Sequence, residues 1–294
     1  MKKNVFIFAM AAALCGCGSE ETREDESRAM VEPTQVMMTF SPYTMEGMND
    51  EGTGESGNTT RAAASIAGVV TKLDVWIIDG DGERTTISQT STDEGFGTVT
   101  ATLDKSKTYT VYAVGHNSDL AILNTNGYLS FGNDNIKETM FYSTDITSAT
   151  ASTLSCVMER IVGRLRIETT DNVPVGADYI TLTVANAATS WNVANGTPSN
   201  IVDDRVIRIN GVGTRVGQTV ALTCHLISTS DAATNYDIVL TLYDSSDHTL
   251  MQRTFNAVPI RNGYKTTYRG QLFSGGLTAS FMVNDWSEFD TVNF

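Results

Sequence analysis

The chain has 294 residues, enough for two domains of ordinary size, and 41% of them are hydrophobic, as in globular proteins. Its formal net charge of -14 excludes the common nucleic-acid-binding proteins, which need a basic surface. Threonine and serine are abundant and helical periodicity is nearly absent, so the sequence predicts an all-β protein.

The chain opens with the pattern of a secretory signal. Lys2 and Lys3 precede an apolar run from Val5 to Leu14. This run is too short to cross a bilayer, which takes roughly 20 residues of helix. It leads into Cys15-Gly16-Cys17, which resembles a bacterial lipobox with Cys17 as the lipidated residue. Residues 1–17 are therefore predicted to be a lipoprotein signal peptide, and the alternative is an ordinary signal peptide with incidental cysteines.

The next segment is predicted to be unfolded. Residues 18–33 are too polar and acidic to pack, which is typical of a disordered tether. Ten of the 34 acidic side chains lie in residues 1–60, against four basic ones, so the rest of the chain is only mildly acidic. A plain spacer between the anchor and the folded part explains this composition.

A short strand and a loop follow the tether. Residues 46–60 are rich in glycine and acidic side chains, which predicts a flexible exposed loop, and they lead directly to Arg61-Ala62. Proteases cut exposed loop tips, so the Arg61–Ala62 bond is a candidate site for a trypsin-like protease. Cutting there would detach the preceding strand covalently, and an uncut loop is the alternative. That strand consists of Val36, Met37, Met38, Thr39 and Phe40.

The rest of the chain is predicted to form two bodies, residues 34–157 and residues 158–294. Strands recur every 8–12 residues with polar turns between them, which favours antiparallel β-sandwiches. The alternating stretch Ile161–Ile167 begins the second body, and Gly163 within it indicates a bulge or a close backbone approach. Asp104–Thr108 and Asn262–Thr266 look alike in the two halves, which predicts two sandwiches of like topology.

No motif predicts catalysis, a metal site or a cofactor. His116, His225 and His248 have no metal-binding spacing, and no nucleophile or phosphate-binding motif is present. Asp79-Gly-Asp81-Gly could begin a calcium loop, but further ligands are missing and a tight turn is favoured. We therefore predict that the protein is not an enzyme. A glycoside hydrolase site stays an open alternative, because its two carboxylates come from separate strands and leave no motif in the sequence.

Two further features leave alternatives open. Cys156 and Cys224 could form a disulfide, or remain as buried free thiols in their apolar strands. Trp191 could be a surface aromatic on a loop, although a lid over the core is favoured. With Tyr128 and Tyr264 it would be a loop aromatic able to bind glycan.

Several of these pieces together resemble the Bacteroidales fimbrillins and fimbrillin-associated anchor proteins, a family of surface lipoproteins. Each piece is short, but their order and spacing span nearly the whole chain. The pieces are Leu14–Cys17, Arg61-Ala62, Tyr112–Asn117, Met158–Gly163 with Asp171 and Pro174, Val258–Ile260 with Asn262, Gly270–Phe273 and Asp285-Trp286.

The resemblance implies two tandem transthyretin-like antiparallel β-sandwich domains. In that family, subunits are exported as lipoproteins, and a trypsin-like protease cuts stalk and tip subunits after an arginine. Removal of the first strand opens an apolar groove, which an extended segment of another subunit fills. Carried over, Cys17 would be the lipid anchor, Arg61 and Ala62 the cleavage site, and Val36–Phe40 the exchangeable strand.

The same resemblance implies the partners and the location. They would be other fimbrial subunits, the outer membrane and the processing protease, and the acidic tether resembles a signal for export to the cell surface. Only eight residues follow Trp286, which is short for a donor tail, so stalk, tip and anchor roles stay open. The alternative function is a non-polymerising surface lipoprotein that binds glycans.

Overall fold

Strands dominate the computed structural model, which confirms the all-β prediction. It describes residues 33–43, 65–132, 136–147, 153–229, 232–274 and, by backbone alone, 280–285. Short 3-10 helices occur at Ile66–Gly68 and Val212–Arg215, and no helix in the described ranges is long and apolar enough to cross a membrane. The strands are β1 (Pro33–Pro42), β2 (Lys72–Asp79), β3 (Arg84–Thr90), β4 (Thr98–Asp104), β5 (Thr108–His116), β6 (Ala121–Leu123), β7 (Tyr128–Phe131), β8 (Thr139–Thr147), β9 (Thr153–Arg160), β10 (Val162–Thr169), β11 (Tyr179–Asn192), β12 (Thr197–Ile209), β13 (Ala221–Ile227), β14 (Thr234–Tyr243), β15 (Thr249–Ile260), β16 (Tyr264–Gly270) and β17 (Ser280–Asp285).

In the first half, two groups of strands share one apolar core. The order β3-β2-β5-β8 is antiparallel throughout, while β1 lies between β4 and β9. Strand β1 runs antiparallel to β4 and parallel to β9. Strands β8 and β9 join the two groups only where Met140 and Phe141 pair with Arg160 and Glu159. Inward side chains of both groups belong to the same buried cluster, which stabilises the half by removing apolar area from water.

The second half pairs its strands in the corresponding order. Strands β12-β11-β14-β15 are antiparallel neighbours, and β10 lies between antiparallel β13 and parallel β16. Strand β10 thus has the place that β1 has in the first half. The two turns that suggested this likeness do not correspond, however. Asp104–Thr108 leads from β4 to β5, whereas Asn262–Thr266 leads from β15 to β16, and these strand pairs are not equivalent in the two halves. Short polar turns have similar sequences wherever they occur, so their likeness does not identify equivalent strands.

A hairpin of the first half extends a sheet of the second. Strands β6 and β7 pair with each other, and β7 pairs with β11 from Ser190 to Asn192. Leu129 and Phe131 of the hairpin are buried in one cluster with Trp191. The described residues belong to one compact unit, and the division into domains at residue 157 stays a prediction.

Gly163 in β10 confirms the predicted close backbone approach. A Cβ atom there would lie 2.5 Å from the carbonyl oxygen of Arg261 and 2.6 Å from Cγ2 of Ile260. The pairing of β10 with β13 continues without a register shift from Val162 to Glu168, so the glycine marks a contact and not a bulge. Only a residue without a side chain lets the turn before β16 lie against β10.

Candidate functional site

Strand β1 buries one face completely and leaves the other open. Val36 and Met38 are 0% exposed and Phe40 is 3% exposed, whereas Met37 between them is 40% exposed. This alternation is the period-2 pattern of a strand over a core. The predicted strand Val36–Phe40 therefore lies in β1, with every second side chain in the core of the first half.

The backbone of β1 is bonded along both edges. Its pairing with β4 extends from Pro33 to Thr39, and its pairing with β9 extends from Met37 to Pro42. At the end of the strand, the N–H of Phe40 donates to the Gly97 carbonyl and the N–H of Tyr43 donates to the Met158 carbonyl, each at 2.8 Å. Main-chain bonds of this kind do not depend on the side chains, so another extended segment could make the same ones.

The floor of the β1 site is apolar. Inward residues of β4 and β9 flank the buried side chains of β1, and the core beneath them comes from β2, β5 and β8. Taking β1 out would expose this surface and leave the facing edges of β4 and β9 without backbone partners. The flanking residues are Val99, Ala101 and Leu103 of β4 and Leu154, Cys156 and Met158 of β9.

Both described cysteines are free and buried, so the disulfide alternative is wrong. Cys156 lies under β1, beside Phe40 in the parallel register. Cys224 lies in the core of the second half. Burial raises the pKa of the Cys156 thiol, and it raises the pKa of the Cys224 thiol to about 12. Neither thiol is reactive while its core stays closed.

The other predicted site residues, Cys17, Arg61 and Ala62, lie outside the described residues. Lipidation at Cys17 and cleavage between Arg61 and Ala62 therefore stay predictions. The structure places β1 before residues 44–64 and the 3-10 helix Ile66–Gly68 after them. The candidate cleavage bond is thus in the only covalent link between β1 and the remaining strands.

The three histidines have different partners. His116 Nε2 is 2.9 Å from an oxygen of Asp74, and His248 Nδ1 is 3.1 Å from an oxygen of Asp244. Burial, together with neighbouring arginines, lowers the pKa of His225 to about 4. Across the ranges that the structure describes, no three His, Cys, Asp or Glu residues are placed to hold a metal ion.

Asp79 and Asp81 form the predicted tight turn. Oδ1 of Asp79 accepts the N–H groups of Asp81 and Glu83, which closes the turn after β2. Lys107 Nζ lies 2.6 Å from Asp79 Oδ2 and 2.8 Å from Asp81 Oδ2, and its hydrogen bond holds the pKa of Asp79 below the ordinary value. The ammonium group takes the place between these carboxylates that a calcium ion would need.

The three aromatic residues considered for glycan binding are not on loops. Tyr128 begins β7, Trp191 lies in β11 and Tyr264 begins β16. Trp191 is 5% exposed and packs in one buried cluster with the β6–β7 hairpin, which agrees with the favoured interpretation of a lid over the core and not with a surface aromatic. Tyr264 stacks with the guanidinium of Arg261 at 4.4 Å. These residues therefore do not form an exposed aromatic row.

Asp171 fixes the chain that leads to β17. Its carboxylate accepts the N–H groups of Leu272, Phe273 and Ser274 and the hydroxyl of Ser274, at 2.7–2.8 Å. Burial alone would raise the pKa of Asp171, but these four donors outweigh it and hold the pKa below the ordinary value.

Replacing Asp171 with asparagine should destabilise the protein at pH 7 by about 1–3 kcal/mol, because charge-assisted hydrogen bonds are lost. Since the folded pKa is depressed, the stabilisation is complete above about pH 4 and disappears as the pH falls through the folded pKa. Urea unfolding at pH 7 and pH 3 should thus show a difference that shrinks in acid. Asp203→Asn, on the exposed surface of β12, is the control and should change little at either pH. An Asp171→Asn effect that is equal at both pH values would contradict this role.

Comparison with known proteins places the chain in a family. The model of the Family of unknown function (DUF6562) matches residues 31–291, so the chain belongs to that family. A comparison with curated proteins gave no match.

Solved structures match the chain at low sequence identity. Candidate polysaccharide binding proteins (DUF1812) from Bacteroides thetaiotaomicron match with a TM-score of 0.50 and 13% identity, covering 86% of this chain and 96% of theirs. The fimbrial anchor protein Mfa2 from Porphyromonas gingivalis matches with a TM-score of 0.46 and 10% identity, covering 86% and 98%. A fimbrial assembly protein from Parabacteroides distasonis matches with a TM-score of 0.41 and 13% identity, covering 87% and 97%. Of these three structures, the Bacteroides thetaiotaomicron one reaches a TM-score of 0.50, which shows that it shares the fold of this chain.

Proposed function

We propose that this protein is a non-enzymatic structural subunit of a surface fimbria, serving as stalk, tip or anchor and contributing to cell adhesion. It is exported to the outer surface as a lipoprotein through Cys17. Its two halves are tandem transthyretin-like sandwiches. Cleavage between Arg61 and Ala62 makes β1 exchangeable, and an extended segment of another fimbrial subunit then takes its place.

The observation that supports this proposal is the position of β1. An interior strand normally belongs permanently to its sheet, but β1 is joined to the remaining strands only through residues 44–64, which contain Arg61. One cut would leave it held by main-chain hydrogen bonds and by four buried residues, Val36, Met38, Phe40 and Pro42. These are the interactions that strand addition uses, so a second strand could replace the first without disturbing the rest of the fold.

Strand β10 has the same place in the second half but is not replaceable in this way. One residue, Ile161, separates it from β9, and it continues directly towards β11. Any single cut would leave β10 attached at its other end. This difference explains why only the first half would exchange a strand.

Glycan binding is the second candidate, supported by the description of the Bacteroides thetaiotaomicron proteins that share the fold. The burial of Trp191 removes one of the three aromatic residues on which a glycan platform would rest. A glycan site would therefore need other residues. Fimbrial assembly is favoured because the arrangement of β1 supports it directly.

The test is the intact mass and N-terminal sequence of the protein taken from the cells that make it. A chain that starts at Ala62 identifies a processed, polymerising subunit, and a chain that starts at an acylated Cys17 identifies a retained anchor. Arg61→Ala should abolish the shorter form and leave lipidation unchanged. A chain that starts elsewhere and carries no lipid would overturn the proposal, and glycan-array binding by that chain would favour the second candidate.

A further inference from the structure

Three of the inward side chains of β1, Val36, Met38 and Phe40, have different surroundings. Val36 pairs across from Ala101 of β4, and Met38 lies between Val99 of β4 and Leu154 of β9. These neighbours are aliphatic, and an unbranched Met can be exchanged for Leu at low cost when the volume is kept. The first two positions therefore accept a range of aliphatic side chains.

The third position has a more specific environment, here called the Phe40 pocket. Tyr142 contacts the Phe40 ring and Cys156 is its register partner in β9, while Gly97 lies beside the Phe40 backbone and next to Ile66. The ring of Phe40 lies edge-to-face with Tyr142, with centroids 6.3 Å apart and planes at 78°. Burial raises the pKa of the Tyr142 hydroxyl, and the neighbouring Cys156 thiol raises it further. Edge-to-face pairs add stabilisation beyond the buried area, and a leucine cannot supply it.

Gly97 lies beside the Phe40 backbone in this pocket. Gly97 has a φ of +90°, and a Cβ atom there would lie 2.6 Å from Cγ2 of Ile66 and 3.6 Å from the carbonyl oxygen of Phe40. Ile66 is 1% exposed, so its side chain fills the space next to Gly97. The pocket is therefore formed by four separate parts of the chain, all of which remain after a cut at Arg61.

We propose that the partner strand which replaces β1 is selected by an aromatic side chain at the Phe40 position. This inference rests on the proposed strand exchange. The strand runs parallel to β9 and carries, in order from its N-terminal side, two aliphatic residues and one aromatic residue at alternate positions. Backbone pairing supplies affinity for any extended segment, and the Phe40 pocket distinguishes one subunit from another.

The test uses the mature chain purified in detergent and cut after Arg61. Labelled peptides that copy Pro33–Pro42 are added in excess, and their exchange for the resident strand is followed by fluorescence anisotropy. Phe40→Ala in the peptide should weaken binding roughly 100-fold, equivalent to about 2.8 kcal/mol, and Phe40→Leu roughly 10-fold. Met38→Leu, in the buried row, and Thr39→Ala, on the outer face, should stay within about threefold.

A second variant examines the pocket from the protein side. Tyr142→Ala should bring the Phe40 and Phe40→Leu peptides to similar affinities, and if that variant does not fold, the peptide series still decides. Equal binding of the Phe40 and Phe40→Leu peptides to the unaltered protein would overturn the inference and leave strand exchange intact. Failure of the unaltered peptide to exchange into the cut protein would overturn the proposed function itself. The uncut Arg61→Ala protein should take up no peptide.

Discussion

Replacing Met38 with alanine should lower the free energy of unfolding by about 2–5 kcal/mol, whereas replacing the adjacent Met37 should change it by less than about 0.5 kcal/mol. The two residues have the same side chain and the same strand backbone. They differ in the face that they occupy, because Met38 is 0% exposed in the core and Met37 is 40% exposed. The pair thus isolates the contribution of the buried face of β1.

Urea unfolding of the uncut protein measures both changes. The cost at Met38 combines the lost transfer of the side chain from water with the cavity that remains between Val99 and Leu154. Similar stabilities for the two variants would show that β1 does not complete the core. A large loss of stability in the Met37 variant alone would mean that the opposite face of β1 is the one buried in the core.

The alternation of buried and exposed side chains made β1 predictable from the sequence. Val36, Met38 and Phe40 recur at every second position, and a strand with one buried face needs no more than that pattern. Gly163 was also informative, because a glycine inside a strand signals a close neighbour. The identity of that neighbour, the turn at Arg261, could not be predicted, since it depends on how distant strands pair.

Long-range pairing was the part that the sequence did not reveal. The parallel contact of Met37 with Thr153 joins residues from opposite ends of the first half, and no local pattern specifies it. The β6–β7 hairpin did have a signal, because Asn124-Thr-Asn-Gly127 is a turn sequence between two short apolar runs. Its attachment to β11 nevertheless depends on the second half, and that attachment explains why Trp191 is buried.

In the candidate site, too, the pattern within one strand could be predicted from the sequence, whereas contacts between distant residues could not. The apolar row of β1 could be predicted, but the Phe40 pocket requires Ile66, Gly97, Tyr142 and Cys156 to meet. These residues come from a 3-10 helix, the loop before β4 and the consecutive strands β8 and β9. Only the pairing of distant parts of the chain brings them together around Phe40.

The central claim is that β1 becomes replaceable when the chain is cut at Arg61, and the reactivity of Cys156 tests it most directly. Cys224 is an internal control, because it is buried in the core of the second half, away from β1. Thiol labelling at pH 8 should be negligible at both residues in the uncut protein, since burial raises both pKa values.

After the cut, Cys156 should be labelled faster by on the order of 100-fold as β1 leaves and returns, while Cys224 stays protected. Excess peptide that copies β1 should restore the protection of Cys156, and the Arg61→Ala protein should show no change on protease treatment. Continued protection of Cys156 in the cut protein, without added peptide, would contradict a replaceable strand. Labelling of both thiols together would mean that cutting unfolds the whole molecule.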